Sequence, residues 1–246
     1  MNKYVADFET ATWIKDRTYV WAWAVCDIEN EHVIYGNSID TFFDFCKYQP
    51  TCQIYFHNLK FDGEFIIHYL LKNNFKHIEK RSECNRNTFT TLISDLGMFY
   101  QITIYFSKSH KVTIIDSLKI IPFSVEQIAK SFNLTISKLE LDYNKPRKEG
   151  HILTKEEKEY IKNDTLIVAK ALKVLFDENL KKMTQGSNAL SDFKKMMGTS
   201  KFNHYFPQLD YDIDKDLRKA YKGGFTYLNP IYKEKDVRLG GGFGYK

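Results

Sequence analysis

Strand-like and helix-like stretches interleave from the first residues of this chain, and that alternation restricts its fold more than any other feature. Lys3 to Glu9 reads as a strand, and Tyr19 to Ile28 (YVWAWAVCDI) is rich enough in β-formers to pair with it as a hairpin neighbour. Ser38 and Asp40 are good N-caps for a short helix through Cys46, Gln53 to His57 reads as a short buried strand, and Phe61 to Asn73 has helical apolar spacing. Between Asn87 and Asp116 the chain is mostly β, in the segments TFTTLIS, MFYQITIYF and VTIID. Ser124 is placed to cap a helix through Phe132. Thr154 with Glu157 forms a capping box opening a long helix to about Leu180. Thr184 to Asn188 reads as a linker, with short helices expected at Leu190 to Met197 and Asp214 to Tyr221, and a glycine-rich, mobile tail from Leu239. This order predicts an α/β fold, a mixed sheet covered by helices.

The 246 residues are 43% hydrophobic and 27% charged, which excludes wholesale disorder, collagen-like repeats and a coiled coil. Aromatic residues reach 15%, enough for some rings to serve as stacking surfaces rather than core. The net charge of +5 permits a polyanionic partner without demanding one. Cys26, Cys46, Cys52 and Cys84 contain no Cys-x-x-Cys pair, so reduced thiols are expected rather than a zinc site or redox motif. There is no run of about 18 apolar residues and no signal-peptide stretch after Met1, so an intracellular protein without a membrane span is expected.

Three short motifs carry chemistry. Asp7 and Glu9 lie two apart in a strand, so both point to one side, among apolar Val5, Ala6 and Phe8. Two like charges there call for a compensating cation of the Mg²⁺ class, unless they are simply a solvated pair at a strand end. Asn58 and Asp62 bridge a strand and a helix, where either could instead be a helix cap. Tyr160 and Asp164 lie four apart on one face of the long helix, or are a surface Asp beside a half-buried Tyr.

The order of these motifs is the stronger signal. D-x-E on the first strand, N-x-x-x-D at a strand-to-helix junction and Y-x-x-x-D on a late helix resemble the DEDD exonuclease superfamily in its tyrosine branch. The strings DFET, YFHNLKFDGEFII, DSLKIIPFSVEQIAKSF and YIKNDTLIVAKAL are similar to the proofreading domain of protein-primed family B bacteriophage DNA polymerases, and Tyr221-Lys222-Gly223-Gly224-Phe225 resembles their Y-x-G-G segment. The resemblance runs from about Tyr4 to about Lys235. It implies a ribonuclease H-like mixed sheet flanked by helices, with residues 1–185 as a 3′→5′ exonuclease domain. Residues 186–238 would be a linker and the start of a polymerase palm, and 239–246 a flexible tail.

The resemblance implies two divalent ions, Mg²⁺ or Mn²⁺, as cofactors held by Asp7, Glu9, Asp62 and Asp164. Asp7 would bridge both ions, Glu9 and Asp164 would hold the ion that binds the water, and Asp62 would act on the second, directly or through its waters. Such ions, about 4 Å apart, activate water and neutralise charge in line. Tyr160 would orient the attacking water and Lys138 would face the scissile phosphate. Tyr55, His57, Asn58, Phe61, Phe65, Ser117, Leu118 and Tyr143 occupy family positions for gripping single-stranded DNA at a primer 3′ end, and Tyr221, Gly223 and Gly224 are implied DNA-binding residues. For Phe65 a core role competes, and for Lys138 a solvated surface position. Further implied partners are the rest of a polymerase and a terminal protein, in the cytoplasm of a phage-infected bacterial cell. No D-x-x-S-L-Y-P string, which opens the palm carboxylates in the family, occurs here, so no DNA synthesis by this chain alone is expected. The alternatives are a noncatalytic DNA-binding or replication-assembly subunit of a split polymerase, and an independent small exonuclease acting on RNA or oligonucleotides.

Overall fold

The computed structural model describes residues 1–13, 18–143 and 145–220. Eight strands form one mixed sheet: β1 (Asn2–Thr10), β2 (Val20–Asp27), β3 (Val33–Gly36), β4 (Cys52–Phe56), β5 (Lys76–His77), β6 (Thr88–Ile93), β7 (Phe99–Tyr105) and β8 (Lys111–Asp116), in the spatial order β3-β2-β1-β4-β8-β7-β6-β5. The centre is parallel: β4 lies between β1 and β8 and runs with both. β2 pairs antiparallel on one side and β7 on the other. Polar chemistry in open α/β sheets collects at the carboxyl ends of parallel strands. Here those ends carry Glu9, His57 and Asp116.

Two helical layers cover the sheet. On one face α1 (Ile39–Tyr48) and α2 (Leu59–Lys72) bury Phe42, Phe43, Leu59, Ile66 and Leu70 against Ala6, Phe8, Ile54 and Phe56. On the other, α3 (Val125–Ser131) and α4 (Lys155–Asp177) bury Ile128, Ile167, Val168 and Leu172 against Val5, Tyr55 and Ile115. Strand alternation separates the two sets along β1: Tyr4, Ala6 and Phe8 face the first layer, and Val5 the second. Asp7 and Glu9 therefore share the α4 side with Val5. Their partners across the β1–β2 ladder are Ala24 and Ala22, whose small side chains let Tyr160 and Ile161 of α4 pack directly on the sheet.

The capping signals act as the sequence predicts. The Ser38 side chain accepts from the Thr41 N–H, and both capping boxes, Ser124 with Gln127 and Thr154 with Glu157, are complete. One expectation is corrected. Thr184 to Asn188 is not a linker, because α5 already starts at Gln185 and runs to Met197. The Thr184 hydroxyl accepts from the Ser187 N–H and its carbonyl from the Asn188 N–H, so Thr184 starts the helix despite Gly186. β3, β5 and a short helix α6 (Thr199–Tyr205) have no counterpart in the sequence reading, whereas α7 (Tyr211–Ala220) overlaps the last expected helix, whose final residue, Tyr221, lies outside the described residues. The residues from Met1 to Asp192 form one compact unit, and a second begins at Phe193. Within the second, Phe193, Phe202 and Phe206 pack ring to ring. Among the described residues no helix is long and apolar enough to cross a membrane.

Candidate active site

The sequence-predicted acids converge. Asp7 and Glu9 from β1, Asp62 from the first turn of α2 and Asp164 from α4 line one cleft of about 240 Å³, together with Lys138, Tyr143, Tyr160, His57, Asn58 and Phe61. Each reaches it for a local reason. β1 presents its acids at a two-residue spacing on one face, and α4 presents Tyr160 and Asp164 at a four-residue spacing on another. Asp62 turns inward because Asn58 bends the chain in a left-handed conformation (φ 77°, ψ 55°) before α2, a geometry that Asn tolerates better than most residues. The Asn58 side chain makes no capping bond, so capping does not explain that residue.

The electrostatics are those of carboxylates crowded away from water. Burial, then the nearby Asp164 carboxylate, pushes Asp7 up to about 7, with Lys138 opposing. Burial and Asp7 hold both Glu9 and Asp62 well above the ordinary range. Asp164 is raised by burial and restrained by Lys138, whose ammonium lies 3.2 Å from Asp164 Oδ2. Burial tends to lower Lys138, but the Asp164 charge outweighs it and the lysine stays protonated. Tyr160 is buried, raised by burial and by Glu9, and its hydroxyl lies 2.5 Å from that of Tyr143.

Among the described residues, Asp62 Oδ1 and Asp164 Oδ1 are buried with no hydrogen-bond partner. A buried carboxylate oxygen left bare is costly, and bare oxygens on neighbouring acids are the donor set of a hard cation. Among the described residues no three His, Cys, Asp or Glu side chains form a ready-made cage. The four acids line the cleft walls instead, with one ammonium among them, and their chemistry fits divalent ions.

The other sequence-predicted residues divide. Asn58 is exposed beside Phe61, which is 50% exposed, and both line the cleft. His57 bridges to Ser117 Oγ (3.0 Å) and donates from Nε2 to the Phe123 carbonyl (2.7 Å), and burial lowers its pKa. Ser117 is fully buried and holds backbone and His57, while Leu118 is half-buried beside it. Phe65 is half-buried against the α1–α2 core, 5.8 Å from the Phe61 ring. The structure does not bring Tyr55 to the cleft: it is 4% exposed, packs on Phe176 and bonds Gln53, because its side chain points into the layer beneath α4. Tyr221, Gly223 and Gly224 lie outside the described residues.

Sequence reasoning missed several contributors. Phe8, Thr10 and Thr12 line the cleft. Asp116, 1% exposed at the end of β8, accepts from the backbone N–H groups of Asn58 (3.2 Å) and Leu118 (3.0 Å) and so ties the α2 entry to the turn after β8. A charged residue ending the apolar run VTIID was the available signal.

The family described as DNA polymerase type B, organellar and viral, matches residues 47–153 and 140–237. The DNA polymerase of Bacillus phage Nf is 45% identical over 243 residues, covering 96% of this chain and 41% of that protein. The DNA polymerase of Streptococcus phage Cp-1 is 34% identical over 242 residues, covering 89% of this chain and 39% of its own length. Among solved structures, phi29 DNA polymerase complexed with single-stranded DNA superimposes with a TM-score of 0.82 at 41% identity, over 95% of this chain and 42% of that one. The chain thus spans about two fifths of the length of the relatives it matches, corresponding to their N-terminal part.

Proposed function

Because the chain belongs to the organellar and viral type B DNA polymerases, we propose that its cleft is a metal-dependent 3′→5′ exonuclease site acting on single-stranded DNA in phage replication. The observation that carries this is the convergence of Asp7, Glu9, Asp62 and Asp164 with Lys138 and Tyr160 in one cleft. Asp7, Glu9, Asp62 and Asp164 would hold two divalent ions, Mg²⁺ or Mn²⁺. When bound, such ions acidify a water and neutralise charge on the leaving oxyanion. Tyr160, fixed by its hydrogen bond to Tyr143, orients that water. Lys138 stabilises negative charge developing on the phosphate. Phe61 offers a ring on which a terminal base stacks, and Asn58 offers polar contacts beside it.

The direction of digestion follows the family resemblance, and so do the proposed partners: a primer 3′ end, the rest of a polymerase and a terminal protein, in the bacterial cytoplasm. We assign residues 1–185 to the exonuclease domain, 186–238, which open on α5 and not on a linker, to the palm entry, and 239–246 to the last stretch, residues 221–246 lying outside the described residues. Templated synthesis is not proposed for these 246 residues. The test is digestion of a 5′-labelled single strand in Mg²⁺, with and without EDTA. Asp7→Ala and Asp164→Ala should each lower the rate by several orders of magnitude with the fold intact. A near-wild-type rate in either variant would refute the assignment.

A further inference from the structure

The segment from Leu134 to Thr154 joins α3 to α4 without a regular element among its described residues, yet it delivers two side chains to the cleft, Lys138 and Tyr143. A connection this long needs anchors other than a backbone ladder. They lie on α4, in reverse order along the helix. The Ser137 carbonyl accepts from Asn163 Nδ2 (3.0 Å) and Lys138 meets Asp164 (3.2 Å). Tyr143 meets Tyr160 (2.5 Å). Arg147 Nε and His151 Nε2 both meet the Glu157 carboxylate, at 2.6 and 2.8 Å. Glu157, Tyr160 and Asp164 fall at i, i+3 and i+7, so the segment is laid antiparallel along one helix face.

Arg147 sits where this arrangement is tightest. It is 2% exposed and Glu157 3%. Its Nη1 donates to the carbonyls of Asp142 (2.8 Å) and Lys145 (3.1 Å), the residues that bracket Tyr143. Its guanidinium carbon lies 4.6 Å from the Trp21 ring centroid, and its own carbonyl accepts from the Tyr19 hydroxyl (2.8 Å). One planar fork therefore closes the turn that presents Tyr143 and pins that turn to α4 one helical turn before Tyr160. An ammonium cannot reproduce this, because it lacks the fork and the flat face.

We propose that Arg147 is a positioning residue for phosphodiester hydrolysis, acting through Tyr143 to fix the hydroxyl of Tyr160, on the reading of the cleft given above. The prediction separates two arms of the same segment. Lys138 has its own anchor at Asn163 and Asp164, so the effect of Arg147 runs through Tyr143 and not through Lys138.

The experiment measures single-turnover hydrolysis of single-stranded DNA by the 246-residue chain, each variant assayed well below its own melting temperature. Arg147→Lys should lower the rate about 10- to 100-fold, the range for displacing a reacting group by an ångström or less. On a Tyr143→Phe background the same substitution should cost less than about threefold, because the two act as one unit. On a Lys138→Ala background it should cost its full factor. Tyr19→Phe removes one bond to the Arg147 carbonyl and leaves every buried charge paired. It should slow hydrolysis several-fold in the same pattern, and it decides the matter if Arg147→Lys does not fold. Wild-type rates in both variants, or full multiplicative losses on the Tyr143→Phe background, overturn the proposal. Absence of EDTA-sensitive hydrolysis in the unsubstituted protein refutes the exonuclease reading instead.

Discussion

If the cleft grips single-stranded DNA as proposed, Phe61→Ala should separate that binding from folding. The ring is 50% exposed, lies in the first turn of α2 beside Asp62, and has Phe65 as its aromatic neighbour at 5.8 Å. A base stacked on such a ring contributes about 1–3 kcal/mol, so its loss should weaken the dissociation constant about 5- to 150-fold. The folding cost is small. The tilted Phe61–Phe65 pair contributes about 0.5–1.5 kcal/mol, and alanine recovers a few tenths as the better helix former. The melting temperature should move by less than about 5 °C for a chain of this size. Phe65→Ala is the contrasting control, because that ring packs on the α1–α2 core and its removal should lower the melting temperature more. The assay is fluorescence anisotropy of a 5′-labelled oligonucleotide in EDTA at one fixed salt concentration, since phosphate contacts make affinity salt-dependent, paired with a thermal melt. A Phe61→Ala dissociation constant within twofold of the wild type would refute the stacking role.

Gly36→Ala should destabilise the protein by about 1–3 kcal/mol, because a Cβ there would stand 2.2 Å from the buried Trp23 ring, whose Nε1 is already committed to the Ser38 carbonyl and Thr41. A denaturant melt equal to wild type would show that the ring can move. Burial would raise Glu157, but the Thr154 N–H, Arg147 and His151 outweigh it and depress the carboxyl to about 2, against 4.5 unperturbed. The unfolded chain then takes the proton first, so this stabilisation is complete above about pH 4.5 and is lost as pH falls towards 2. Glu157→Gln should flatten that acid limb of the melting curve, and an unchanged slope between pH 5 and 3 would contradict the pairing. Arg147→Met, which removes the guanidinium from the buried Glu157 and leaves it only His151 and the Thr154 N–H, should cost up to about 3–5 kcal/mol in the same melt at pH 7. Burial pushes Cys26 and Cys52 up to about 12 and Cys46 well above its usual value, while Cys84 is half-exposed. A thiol reagent should therefore label one site per native chain and four after denaturation, and fast labelling of all four in buffer would refute the burial.

What could be read from the sequence was what depends on near neighbours. The strand β1, the hairpin partner β2, the three β segments after Asn87 and the capped starts of α1, α3 and α4 follow from alternation and from Ser and Thr at helix entries. β3 and β5 escaped because strands of four and two residues carry too few positions to show a period. The reading of Thr184 to Asn188 as a linker gave weight to Gly and Ser composition. It missed that a Thr hydroxyl three residues before Ser187 can start a helix. The order of strands in the sheet, which puts the ends of β1, β4 and β8 side by side, comes from long-range pairing and has no signature in any single segment.

The cleft follows the same division. Spacing put Asp7 with Glu9 and Tyr160 with Asp164 before any fold was known, because two residues along a strand and four along a helix are fixed by backbone geometry. Each pair alone had a bland explanation, and only the topology brings them together. The residues that reasoning misjudged are those whose role depends on what faces them. Tyr55 belongs to the same string as His57 and Asn58 and faces the α4 side as Asp7 and Glu9 do, yet it pairs with Val5, two residues short of Asp7 along the sheet, where Phe176 covers its ring. Asp116 and Arg147 were not singled out, because an acid at a strand end or an arginine in a polar loop is ordinary until its partners are seen. Both are almost fully buried, and both hold backbone groups that present a cleft residue, Arg147 while also paired with Glu157. A crowded set of carboxylates is destabilising by itself. It keeps its geometry only if the chain on either side is held by groups that are not themselves part of the charge cluster, and here Asp116 holds the entry to α2 while Arg147 holds the turn carrying Tyr143.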